Sequence, residues 1–154
     1  MSSDVFDVRS RRAAGFGLAE VLITIVCISS LLAVGVPNLH RLSQEWNLRA
    51  GAAVLETSLH WGRMHAVSTN SSLMLIVSAD GRQFFWADAA CGDRYETAAR
   101  QLHSGVRITS APGRPLRFFQ RGNAAPAGTY VVQGSTGAYR IVVSPGGRIR
   151  IQRI

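Results

Sequence analysis

The 154-residue chain has no lysine: all 17 of its basic residues are arginine, set against nine acids. A GC-rich genome also produces such a complement, so the absence by itself indicates no activity. The distribution of acids says more. Residues 97–154 hold nine arginines and no aspartate or glutamate, while residues 38–96 hold five arginines and six acids. The formal charge of +8 is therefore concentrated in the last third, which points to an anionic partner. Two cysteines, Cys27 and Cys91, are too few for a disulfide scaffold. Cys91 is either a free thiol or an intermolecular partner. Five prolines and 15 glycines exclude a collagen-like or proline-rich disordered chain. Phosphate-binding loop, nucleophile elbow and zinc-spaced histidine pair are all missing. His60 and His65 are five apart and share no helix face. No enzyme, metal site or cofactor is expected.

What is present is a long apolar run. Phe16 to Val36 reads FGLAEVLITIVCISSLLAVGV, 21 residues with Glu20 as the only charge. As a helix it rises about 31 Å, enough to cross a bilayer core. A secretory core is shorter, at about 7–15 residues. Were this a buried core helix, the rest of the chain would be too small to cover it. Arg9, Arg11 and Arg12 precede the run. They favour a cytoplasmic start and a single pass that sends the carboxyl-terminal part across the membrane. Glu20 is costly inside a bilayer unless it is paired or near the interface.

Arg11-Arg12-Ala13-Ala14-Gly15 followed by Phe16-Gly17-Leu18-Ala19-Glu20 resembles the prepilin signal of type IV pilins and type II secretion pseudopilins. The resemblance implies that a prepilin peptidase cuts between Gly15 and Phe16 and that the new amino terminus is methylated. Residues 1–15 are then the leader, and 16–36 the transmembrane helix that later forms the filament core. Pro37 matches a helix-kinking proline common in pilins. Glu20 would neutralise the amine of a neighbouring subunit, since a pair of charges in a low-dielectric core is far less costly than two isolated ones. A local pairing within one chain is the other reading.

The helix is expected to continue over 37–69. Leu48, Ala52, Leu55, Leu59, Gly62 and Ala66 recur at spacings of four and three, one apolar stripe suited to packing on a sheet. Trp46 and Trp61 are assigned to packing or filament contacts. From 70 to 154 the pattern is that of short strands. Ser72–Val77 and Arg82–Ala87 flank the Asp80-Gly81 turn. Residues 88–104 read as loop. Further strands are expected near 106–109, 116–119, 129–133, 139–143 and 148–152. The fold class is α+β, pilin-like: a long helix on an antiparallel sheet domain. Leu55, Leu59, Arg63 and Ala66, the strands and the closing IVVSPGGRIRI are similar to the GspH/FimT family of minor pilins and pseudopilins.

The last two strands carry the charge. Pairing Ser144 with Arg148 across Pro145-Gly146-Gly147 sets Ile149 opposite Val143 and Ile151 opposite Ile141. Both isoleucines then face the core, and Arg148, Arg150 and Arg140 face outward. Gly147 supplies the left-handed position of such a loop, and the two glycines let a polyanion approach the backbone. Arg148 and Arg150 stand about 6.7 Å apart, near two phosphate steps of DNA. Gly147-Arg148-Ile149-Arg150 resembles the GRxR motif of FimT-like pilins that bind DNA in natural transformation. That resemblance implies Gly147, Arg148 and Arg150 as the binding residues, joined by Arg140, with Arg107, Arg117, Arg121 and Arg153 as secondary candidates. The other readings are that these arginines solvate an edge strand, or meet lipid headgroups or acidic pilus partners.

The function expected is a minor pilin of a type IV pilus, on the cell surface once assembled. It would hold extracellular double-stranded DNA for uptake, through phosphates and without reading sequence. Its partners are DNA, other pilin subunits and the prepilin peptidase. The alternative is a structural minor pilin or type II secretion pseudopilin that initiates assembly without binding DNA.

Overall fold

The computed structural model describes residues 17–154. Leader residues 1–15 and the expected cleavage partner Phe16 lie outside the described residues. One helix, α1, spans Leu18–Ser68 and contains Pro37. Its chain divides between two compact units, one ending at Asn38 and the other running from Leu39 to Ile154.

In the first unit the large apolar side chains among the described residues are exposed. Leu18, Ile23, Val26 and Leu31 are all more than half exposed. Among the described residues α1 is the one helix long and apolar enough to cross a membrane, with a mean hydropathy of 2.3 over its most apolar stretch. Glu20 is exposed in its first turn, where a negative charge also suits the helix dipole.

The second unit has its own core. The stripe read from the sequence is buried throughout: Leu48, Ala52, Leu55, Leu59, Gly62 and Ala66. It faces two antiparallel sheets. The first is built from β1 (Leu73–Val77), β2 (Gln83–Asp88), β3 (Arg94–Gln101), β5 (Leu116–Phe118) and β6 (Ala124–Ala125), in the order β3-β2-β1-β5-β6. The second is built from β4 (Arg107–Ser110), β7 (Gly128–Gly134), β8 (Gly137–Val143) and β9 (Ile149–Arg153), in the order β4-β7-β8-β9. Trp86, Phe84, Phe118, Tyr130 and Ile141 fill the space between helix and sheets, each at most 1% exposed. Burying one such side chain is worth about 1.5–3 kcal/mol. Two polar tips in this core behave differently. Trp86 Nε1 donates to Ser58 Oγ at 2.8 Å, and burial raises the Tyr130 phenol well above its ordinary pKa, so it stays neutral.

Two elements depart from the sequence reading. Residues 88–104 are not simply loop, because β3 occupies Arg94–Gln101 and pairs with β2, with Trp86 opposite Tyr95. β3 is an edge strand interrupted by a register shift, so a polar sequence without clean alternation suffices to form it. β6, only two residues long, is too short to leave a periodic signal. Cys91, in the turn before β3, is exposed with a free thiol.

Candidate nucleic-acid interface

The β8–β9 hairpin adopts the register that the alternation demands. Val143 pairs with Ile149, Ile141 with Ile151 and Val142 with Arg150. Across the turn the Ser144 N–H donates to the Arg148 carbonyl and the Gly147 N–H to the Ser144 carbonyl, both at 2.9 Å. Gly147 has φ +75°, the left-handed value expected of it. Ile149 and Ile151 pack against the core but are half-buried rather than enclosed, because β9 is the edge of its sheet.

Gly147 has a different role from the one its sequence suggests. It is buried, and a Cβ on it would stand 2.0 Å from the Gly122 carbonyl oxygen. Nothing approaches Gly146, which alone of the pair is open to a ligand. The turn is docked on the β5–β6 connection: the Ala124 N–H donates to the Pro145 carbonyl at 2.8 Å. Arg63, reaching from α1, donates its Nε–H to the Gly122 carbonyl at 3.0 Å. Arg63 and Gly122 thus position the arginine hairpin. Their 59-residue separation hides this from sequence reasoning.

Strand pairing assembles the basic face. In β7, Tyr130 and Val132 point to the core, so Thr129, Val131 and Gln133 point out. Arg140 pairs with Val131, Arg107 with Gln133 and Arg150 with Val142, which itself pairs with Thr129. Arg107, Arg140 and Arg150 are exposed on the outward face of one sheet whose four strands contain no acid, and exposed Arg148 stands just before β9, bonded to Ser144 across the turn. Phosphate oxygens accept guanidinium forks well, and an acid-free face offers no internal competitor.

The remaining candidates separate. Arg153 lies opposite Tyr139, on the helix side, and its Nη1 meets Glu45 Oε1 at 2.8 Å. It is removed from the basic face by the strand alternation that puts Arg150 on it. Arg117 belongs to β5, in the other sheet. Arg121 sits beside Gly122 at the β5–β6 turn, next to the docked hairpin. His65 stacks on Trp61 at 4.8 Å and meets the edge of Tyr95, so these rings serve packing on the helix. Trp46 is 62% exposed.

The family profile described as type II transport protein GspH matches residues 51–147. The fold is similar to that of the type IV minor pilin FimU of Pseudomonas aeruginosa, with TM-score 0.60 and 17% identity over 72% of this chain and 92% of that one. It is similar also to the minor pseudopilin EpsH from the type 2 secretion system of Vibrio cholerae, with TM-score 0.58 and 14% identity over 70% and 97%. At such identities the likeness is one of fold. No curated protein matches the sequence significantly.

Proposed function

The chain belongs to the GspH family, and from that premise we propose that it is a minor pilin that holds double-stranded DNA on the outward face of its second sheet. The observation that carries this is the gathering of Arg107, Arg140, Arg148 and Arg150 on one acid-free face. Contacts of this kind address phosphates and leave base edges unread. Arg148 and Arg150 form the centre of the site, and Arg140 extends it along the partner strand. Cleavage between Gly15 and Phe16 would release the mature subunit. It would stand in the inner membrane with the sheet domain in the periplasm until it enters a filament and reaches the cell surface.

The test is a gel shift with residues 39–154, which contain every buried hydrophobic side chain among the described residues. Duplex DNA should bind with Kd of about 10⁻⁴ to 10⁻⁶ M at physiological salt, the range of non-specific binding. Changing Arg148 and Arg150 to Gln should remove most of that binding. For every phosphate left without its arginine, the log–log salt slope should fall by about 0.9. Arg94→Gln is the charge-matched comparison, since Arg94 lies over the Phe85 ring in the other sheet. Equal weakening by Arg94→Gln would assign the binding to net charge.

The match to a type II transport protein favours a second reading, a structural pseudopilin that initiates a filament. Absence of DNA binding even at low salt would select it. Both readings use Glu20 in the same way, against a neighbour's terminal amine. Glu20→Ala should lower the amount of subunit recovered in sheared filaments and leave the fold of residues 39–154 intact. Unchanged recovery would remove the role of Glu20 in setting register between subunits.

A further inference from the structure

A hollow of about 350 Å³ opens at the end of the second sheet remote from the β8–β9 turn. Arg82, Arg107, Gln133 and Ser135 line it, with Val106 and two glycines completing the walls. No carboxylate is among its walls.

Backbone geometry fixes the turn that carries Arg82. Gly81 has φ +66°, and a Cβ there would stand 2.2 Å from the Ile108 carbonyl oxygen. Its own carbonyl accepts from the Ile108 N–H at 2.8 Å, and the Arg82 carbonyl accepts from the Leu102 N–H at 2.8 Å. The β1–β2 turn is therefore clamped onto β4, which sets Arg82 and Arg107 on the walls of the same hollow.

Among the described residues neither guanidinium makes a hydrogen bond or a salt bridge, and the one acid that feels the charge of Arg82 is Asp80. Asp80 is the nearest acid in sequence, but its carboxylate is turned into its own loop. There it accepts from the Ser78 hydroxyl and from the Arg82 backbone N–H, and these bonds, with the charge of Arg82 as a smaller cause, hold its pKa below the usual value. The Ser135 hydroxyl donates to Gln44 Oε1 at 3.0 Å, so it brings no donor to the hollow. The free donors are thus two guanidinium forks and the Gln133 carboxamide. Two cations side by side repel, and a group of charge near −2 relieves both at once.

We propose that this hollow is an oxyanion site that takes a phosphate group, held between Arg82 and Arg107 with Gln133 as a neutral donor. Its source is either a nucleic-acid backbone or free phosphate. The site is separate from Arg148 and Arg150. Three strand spacings and four residues of rise put Arg107 about 20 Å from Arg150. A duplex lying diagonally across the sheet would meet both places about six phosphate steps apart.

The test uses the full chain in a nonionic detergent, with the arginine Nε–H resonances followed by NMR. Arg82→Gln and Arg107→Gln assign the two signals. Titration with inorganic phosphate at constant ionic strength should shift both in a saturable way, with Arg41 on the exposed helix unmoved. Arg82→Gln should weaken phosphate binding read at Arg107 by about tenfold or more, the effect of removing one charge-assisted hydrogen bond. Unsaturating shifts in step with Arg41, or an unchanged affinity in Arg82→Gln, would overturn the proposal. A second titration with duplex DNA separates the sources. Shifts at the same two signals, reversed by phosphate, identify the nucleic-acid backbone. Signals that respond to phosphate and ignore the duplex identify the free ion. The Arg148→Gln/Arg150→Gln variant should keep the phosphate response, so the failure of one site is read apart from failure of the other.

Discussion

Replacing Gly147 by alanine is expected to destabilise the sheet domain and to weaken DNA binding while every arginine remains. The left-handed conformation alone costs a residue with a Cβ about 1–2 kcal/mol. The new methyl would also stand 2.0 Å from the Gly122 carbonyl oxygen, a backbone atom held by Arg63. Relief requires the turn to lift off the β5–β6 connection and break the Ala124–Pro145 hydrogen bond. Overpacking of this kind adds about 1–3 kcal/mol. Urea denaturation of residues 39–154 should show a clearly lower midpoint. Gly146→Ala is the matched comparison, because nothing lies near that position. Equal midpoints for the two variants would mean that the turn is not docked as described.

Gly62→Ala is expected to be the most damaging single methyl on the helix. A Cβ there meets the Trp86 ring at 2.4 Å. The indole has no room to retreat: it is fully buried, donates to Ser58, and lies 5.9 Å from Phe118 and 6.4 Å from Trp61, centroid to centroid. A loss of about 1–3 kcal/mol follows from overpacking, or several degrees of Tm for a domain of this size. Trp86→Phe removes the colliding ring atoms. It costs stability by itself, yet in the Gly62→Ala background it should cost less than the two single effects added together. Strict additivity in that double-mutant cycle would show that the two residues do not touch.

These glycines illustrate where sequence reasoning ends. Gly62 was legible as a small residue in an apolar stripe. That it accommodates Trp86 depends on strand β2 arriving over that turn of the helix. Gly147 was legible as a left-handed turn residue, since only that conformation closes a three-residue loop in the required parity. Its burial under Gly122 depends on a meeting of two distant hairpins.

By itself the sequence determined the features governed by local periodicity. A 21-residue apolar run with one carboxylate is long enough, at the rise of a helix, to span a bilayer, and α1 covers it from Leu18 onward. The stripe from Leu48 to Ala66 was bound to be the core face, because about 3.6 residues per turn puts those positions in line. The register of β8 and β9 followed from alternation, because one residue of slip would turn Arg148 and Arg150 inward and Ile149 and Ile151 outward. Tertiary structure alone decided what lies between elements. It carried Arg107 to the face of Arg140, Arg148 and Arg150, and paired Arg153 with Glu45 on the other side. It also placed Arg82 beside Arg107. Strand order and the docking of turns set these neighbours, and neither leaves a periodic trace, because each rests on the packing of residues far apart in the chain.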